Sequence, residues 1–138
     1  MTIAVDFDGT IVTHEYPKIG KPIPFAIEAL KRLQTVDHHQ LILWSVREGH
    51  LLKEAVDYCA SKGLEFYAVN TNYPDENPEE RPNRKVTADI YIDDRNLGGL
   101  PEWGIIYQMI HSGNYRKPAS MTLETPRRKT WWQKLLGI

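Results

Sequence analysis

The chain has 138 residues, a quarter of them charged, a formal net charge of -1 and a single cysteine, Cys59. That length suits one domain with one core, and the near-neutral balance gives no general pull toward nucleic acid or an anionic membrane surface. One cysteine excludes an internal disulfide and a cysteine-based zinc cluster, and no apolar run approaches the roughly 20 residues that span a bilayer.

A core strand is expected directly after Met1, where a signal peptide would stand, so the default expectation is a soluble cytoplasmic protein. Ile3 to Val5 form a β-branched run that is continuous rather than alternating, as in a strand buried on both faces. The run ends in Asp6-Phe7-Asp8-Gly9-Thr10. Strand geometry points Asp6 and Asp8 the same way, and Gly9 permits a sharp turn beyond the sheet. Carboxylates held together there repel each other unless a cation sits between them. The plainer reading, an Asp-Gly hairpin turn, lacks a partner strand in the residues that follow.

Residues 12–21 read as a polar excursion. Pro22 and Pro24 introduce a helix whose apolar face is Ala26, Ile27, Leu30 and Leu33. Leu41 to Trp44 read as a second buried strand. Ser45-Val46-Arg47-Glu48 matches a capping box, with Ser45 as N-cap of a helix carrying Leu52, Ala55, Val56 and Cys59 on one face. That helix is expected to stop near Lys62-Gly63. Phe66 to Val69 make a third strand. Residues 70–84 form a long proline-containing loop, of the length usually kept for function, with one helical turn expected at Pro78. Asp89 to Ile92 make a fourth strand that ends in Asp93-Asp94. Trp103, Ile106 and Ile110 suggest a short amphipathic helix, although Ile105 to Tyr107 also suit an edge strand. From Ser112 the composition turns basic, and the chain closes on Trp131-Trp132-Gln133-Lys134-Leu135-Leu136. The domain reading is therefore 1–111 plus a basic, Trp-rich tail over 112–138.

Strands alternating with helices imply parallel βαβ units: an α/β, three-layer, Rossmann-like domain around a mostly parallel sheet. Ligands of such sheets bind beyond the carboxyl ends of the strands. Three of the four expected strands deliver polar groups there: Asp6 and Asp8, then Ser45, then Asp93 and Asp94. Magnesium takes hard oxygen ligands, usually one or two carboxylates with waters and substrate phosphate. A carboxylate beside it can act as nucleophile toward phosphorus, and a second can serve as acid and then base. Ser45 at a helix N-terminus would offer donors to a phosphoryl group, and Lys85 would add a positive charge.

Asp-x-Asp-Gly-Thr after the first strand, Ser after the second, an isolated Lys and Asp-Asp after a later strand resemble the haloacid dehalogenase (HAD) superfamily over roughly residues 1–110. The resemblance implies a HAD-like fold with Asp6 as nucleophile and magnesium ligand. It implies Asp8 as general acid/base, binding the metal through its backbone carbonyl. Ser45 and Lys85 would hold the phosphoryl group, Asp94 would be the direct metal ligand, and Asp93 would orient Lys85 or a water. Asp8 marks the phosphatase and phosphotransferase branches. Neither residues 10–22 nor 70–84 have room for a large cap domain, so the resemblance is to a small capless member.

The expected activity is a Mg2+-dependent phosphoric monoester hydrolase acting through an aspartyl-phosphate on a phosphorylated substrate, small or macromolecular. Two alternatives stand beside it: a nucleotide or polynucleotide-end phosphatase, and a non-catalytic HAD-like binding or regulatory protein. A nucleic-acid partner is not favoured. The tail would close the site by forming a homo-oligomer or would contact an anionic partner. The five histidines lack metal-ligand spacing and read as surface residues, with His14 and Glu15 near enough to the first motif to touch a substrate.

Overall fold

The structure is a computed structural model that describes residues 1–116 and Gly137. The rest of the basic tail, with the oligomerisation role expected of it, lies outside the described residues. The elements are β1 (Thr2–Val5), α1 (Ala26–Thr35), β2 (Gln40–Leu43), α2 (Gly49–Ser61), β3 (Ala68–Val69), β4 (Ile90–Ile92) and α3 (Trp103–His111), followed by a 3-10 turn, Asn114–Arg116.

The four strands make one sheet in the order β3-β2-β1-β4, and every pairing is parallel. Ile3 lies between Leu41 and Ile90, and Val5 between Leu43 and Ile92. Side chains alternate across these strands, so the sheet has two different coats. Ile3, Val5, Leu41 and Leu43 pack with Leu30 and Leu33 of α1, Ala55 and Cys59 of α2, and Trp103, Ile106 and Ile110 of α3. Ala4, Ile42 and Ala68 face the other way and are covered by Val86, with Trp44, Ala88 and Tyr91 alongside.

This division follows from the handedness of parallel connections. The steps β1 to β2 and β2 to β3 move the same way along the sheet, so right-handed crossovers place α1 and α2 on one face. The step from β3 back to β4 runs in reverse and must cross the opposite face. That crossing is the 70–89 segment. The third layer of this domain is thus an irregular segment with turns, where a Rossmann-like pattern would lead one to expect a helix. Its expected helical turn at Pro78 is a single hydrogen-bonded turn, Glu80 N–H to Asn77 O at 3.1 Å.

The helical faces fall where the apolar spacing put them. The ambiguity over Ile105 to Tyr107 resolves as helix: Trp103, Ile106 and Ile110 are buried at helical spacing, whereas Ile105 is half exposed. Cys59 is fully buried, and burial pushes its thiol up to about 12, so it is a core side chain held as a neutral thiol. No described helix is long and apolar enough to cross a membrane. No large cap domain interrupts the described fold: the segment after β1 rejoins the core through an Ile23 N–H to Ile11 O bond of 3.0 Å.

Candidate metal and phosphoryl-transfer site

β1 is the strand at which the connections reverse direction, so the crevice between the carboxyl ends of β1 and β4 is the topological switch point of the sheet. Asp6 follows β1 directly, and its N–H extends the ladder to Ile92 O at 2.9 Å. Asp93 and Asp94 follow β4. Register alone therefore brings the three acids side by side, with ligand oxygens of Asp6, Asp93 and Asp94 all within 4.8 Å of one another.

The chain then turns tightly. Phe7 O accepts from the N–H groups of Thr10 and Ile11 at 3.2 and 2.9 Å, and Gly9 adopts φ +80. A side chain at Gly9 would collide with the Asp94 carboxylate, so glycine is required both by conformation and by the approach of that acid. Thr10 is buried in the turn. Its hydroxyl donates to Asp6 Oδ2 at 3.3 Å and accepts the Asp94 N–H at 3.1 Å, while its carbonyl takes the indole N–H of Trp103 at 2.8 Å. One threonine thereby fixes the spacing of two of the acids.

The electrostatics are those of an unbalanced site. Burial pushes the Asp6 carboxyl up to about 7; the Phe7 N–H pulls it down, and Asp93 and Asp94 add to the rise. Among the described residues no ion pair reaches Asp6, Asp93 or Asp94. Asp94 Oδ1 is buried with no hydrogen-bond partner. Three carboxylates converging on one point with an unserved oxygen fit a hard divalent cation, which takes oxygen ligands and would complete its shell with water. The cluster can coordinate a metal ion, and a carboxylate group of this kind beside a cavity is an arrangement found in enzyme active sites.

Asp8 has a partner that its spacing did not announce. It lines the same cavity as Asp6, but its carboxylate is paired with Arg47 and is not one of the three clustered acids. Arg47 Nε donates to Asp8 Oδ2 at 2.7 Å and a terminal nitrogen to Oδ1 at 2.6 Å. Asp8 is 6% exposed and Arg47 0%. Hydrogen bonding to Asp8 raises the guanidinium further above its ordinary range, so Arg47 stays charged.

Ser45 sits at the end of β2, beside the β1 edge, but it caps no helix. α2 begins three residues later than the capping-box pattern predicts, with Glu48 as N-cap and no side-chain cap bond. Gly49, at φ +56, turns the chain between the extended Glu48 and the helix. The Ser45 hydroxyl instead accepts the Arg47 N–H at 3.1 Å, and its own N–H goes to Asn70 Oδ1 at 2.8 Å. This local turn satisfies the serine without a helix terminus, and it leaves the hydroxyl proton available to a ligand. Lys85 is exposed, and its ammonium lies over the Tyr91 ring, 4.2 Å from the centroid, on the loop-covered side of the sheet.

A cavity of about 410 Å³ opens on the cluster, lined by Asp6, Asp8, His14, Tyr16, Val46, Asp93 and Arg95. A second, of about 760 Å³, holds Ser45 with Asn70, Arg81 and Arg84 and shares Val46 with the first. The structure thus gathers Asp6, Asp8, Asp93 and His14 round one cavity, places Asp94 behind them and Ser45 beside them, and leaves Lys85 apart. Arg47 was not singled out from sequence, and Thr10 only as the last residue of the first motif, with no role. The signal for Arg47 was its place two residues after Ser45; nothing local showed that it would turn inward.

No family model matches the chain, and no curated protein matches it. Among solved structures, the conserved protein coded by a locus from Bacteroides thetaiotaomicron is 58% identical and superposes with a TM-score of 0.78, over 87% of this chain and 94% of that one. Identity of that order over nearly the whole of the relative settles kinship: the chain belongs to the same family as this conserved Bacteroides thetaiotaomicron protein.

Proposed function

We propose that this protein is a Mg2+-dependent phosphoric monoester hydrolase of the HAD type, acting through an aspartyl-phosphate on Asp6. The observation that carries the reading is the Asp6–Asp93–Asp94 cluster at the sheet's switch point, open to a cavity through Asp6 and Asp93. Its sequence setting, Asp6-Phe7-Asp8-Gly9-Thr10 after one strand and Asp93-Asp94 after another, supports phosphate chemistry over other uses of the same donors.

In this reading the residues divide the work as follows. Asp6, Asp93 and Asp94 would hold the magnesium ion, which when bound neutralises the cluster and lowers the repulsion between carboxylate and phosphoryl dianion. An Asp6 oxygen attacks phosphorus, the bond from phosphorus to the leaving oxygen breaks, and that oxygen takes a proton. Water then attacks the same phosphorus, the bond to Asp6 breaks, and inorganic phosphate leaves with the carboxylate restored. Asp8 carries the proton in both halves. Both of its oxygens already accept from Arg47, so each transfer requires one of those bonds to open. Ser45 donates its hydroxyl proton to a phosphoryl oxygen. Arg95 supplies positive charge at the cavity wall, and Lys85 reaches the phosphoryl group only by leaving the Tyr91 ring.

The uncapped cavity, beside a larger one lined by Ser45 and Asn70 and by charges of both signs, leaves room for an extended substrate as the second reading, a nucleotide or a polynucleotide end. A panel of phosphomonoesters, from p-nitrophenyl phosphate to nucleotides and 3′- and 5′-phosphorylated oligonucleotides, assayed with and without Mg2+, tests both. Turnover is expected to require Mg2+ and to vanish in Asp6→Asn. Absence of hydrolysis across the panel would instead favour a binding protein that keeps the fold.

A further inference from the structure

Arg47 is bonded as completely as an arginine can be. Its five N–H groups meet five acceptors: the two Asp8 oxygens, Pro17 O at 3.0 Å and Lys18 O at 2.9 Å in the loop over residues 13–20, and Leu51 O at 3.4 Å in the first turn of α2. The guanidinium carbon also lies 5.1 Å from the Phe7 ring centroid and 5.2 Å from that of Tyr16. One rigid, fully buried fork thus joins a carboxylate at the β1 end to backbone carbonyls of the loop that brings His14 and Tyr16 to the cavity wall.

The loop has few other hydrogen bonds to the domain. Those at its base are internal: Thr13 N–H to Lys21 O at 2.8 Å, Lys21 N–H to the Thr13 hydroxyl at 2.9 Å, and Lys18 N–H to Glu15 O at 3.0 Å. Among the described residues, the carbonyls at its tip reach the rest of the protein through Arg47. An arginine serving only to brace a loop would need no carboxylate from the site. An arginine serving only to neutralise Asp8 would need no loop carbonyls.

We propose that Arg47 is a positioning residue that couples the orientation of the Asp8 carboxylate to closure of the 13–20 loop. A closed loop holds the guanidinium against Asp8 and presents the carboxylate to the cavity in one orientation. A lifted loop takes two of the five acceptors away. Coupling is reciprocal, so a change at Asp8 must reach the loop although Asp8 bonds to none of residues 14–20. The turnover consequence rests on the hydrolase reading; the coupling itself does not.

The test is hydrogen exchange at the Lys18 and Lys21 amides in wild type, Asp8→Asn and Arg47→Lys, with the strand amides of Ala4 and Ile42 as internal reference. It is run alongside Mn2+ titration and Mg2+-dependent hydrolysis of p-nitrophenyl phosphate. The near-isosteric Asp8→Asn keeps the test decisive if Arg47→Lys does not fold. Loop exchange is expected to quicken at least tenfold in Asp8→Asn while the strand amides hold, with Mn2+ affinity within threefold of wild type. In Arg47→Lys, kcat is expected to fall at least tenfold with KM within threefold, a split that mere bracing would not produce. Unchanged loop exchange in Asp8→Asn, or unchanged kcat in Arg47→Lys, would overturn the proposal. A wild type without Mg2+-dependent turnover would defeat the hydrolase reading and leave the exchange result to decide the coupling.

Discussion

Stripped of divalent cations, the site makes stability depend on pH in a way that can be isolated at Asp6. Burial first, and Asp93 and Asp94 after it, raise the Asp6 carboxyl from 3.8 to about 7 in the folded protein. The unfolded chain loses that proton near pH 4, so between about pH 4 and pH 7 the folded state holds a proton the unfolded state has given up. The stabilisation is fully present below the lower value and disappears as pH rises through the upper one. The gap corresponds to about 4 kcal/mol, and screening by the water that still reaches Asp6 brings it to about 2 kcal/mol. Asp6→Asn removes the titration and little else. In EDTA, thermal melts of wild type and variant should therefore diverge from pH 4 to pH 8 by about 2 kcal/mol in the variant's favour. That is about 6–10 °C for a domain of this size. Groups that titrate away from the acid cluster cancel in the difference, which reports Asp6 together with the Asp93 and Asp94 carboxylates that act on it. Saturating Mg2+ should reverse the order, since a ligand at a hundred times its Kd adds about 2.7 kcal/mol to the protein that binds it. A wild-type-minus-variant difference that stays flat with pH in EDTA, or equal Mg2+ stabilisation of both proteins, would refute the reasoning.

Three further outcomes follow from single contacts. Arg47→Met should cost about 3–5 kcal/mol in denaturant melts, because it strands a buried Asp8 carboxylate, and Arg47→Met with Asp8→Leu should recover most of that loss; no recovery in the double variant would argue against the stranded charge as the cause. Gly9→Ala forces a Cβ into the Asp94 carboxylate from a left-handed backbone, so Mn2+ binding measured by calorimetry should weaken at least tenfold. Thr10→Val keeps the shape of a buried side chain while deleting the hydroxyl shared by Asp6 and the Asp94 N–H, and should lower metal affinity or kcat by about 10–100-fold with stability nearly unchanged.

How much of this was legible before folding depends on what kind of signal each feature leaves. Continuous apolar runs and 3.6-residue spacing mark Ile3–Val5, Leu41–Leu43 and the α1 face, because burial acts through local periodicity. The convergence of Asp6 with Asp93 and Asp94 was readable too, since parallel neighbours end at the same edge and acids at strand ends have nowhere else to go. Strand geometry put Asp8 on the same cavity as Asp6 but could not report its buried pairing with Arg47, a residue 39 positions away. Ser45-x-x-Glu48 satisfies a capping-box pattern, yet the same serine is satisfied by the N–H two residues on, and Gly49 at positive φ delays the helix. Lys85 has a flexible stem, and the choice between a phosphoryl group and the Tyr91 ring is made by tertiary neighbours that no local pattern reports. The irregular character of residues 70–84 was legible from their prolines; that they form the third layer was not. Topology requires the 70–89 segment to cross that face, but its prolines and turns decide that it crosses as an irregular chain.

The most direct test of the account is a crystal structure of the protein with Mn2+ and beryllofluoride, a mimic of a phosphoryl group on a carboxylate. The account predicts one anomalous peak among Asp6, Asp93 and Asp94, with the beryllofluoride bonded to an Asp6 oxygen and accepting from the Ser45 hydroxyl. Manganese bound elsewhere, or a manganese-loaded site with no adduct on Asp6, would contradict it.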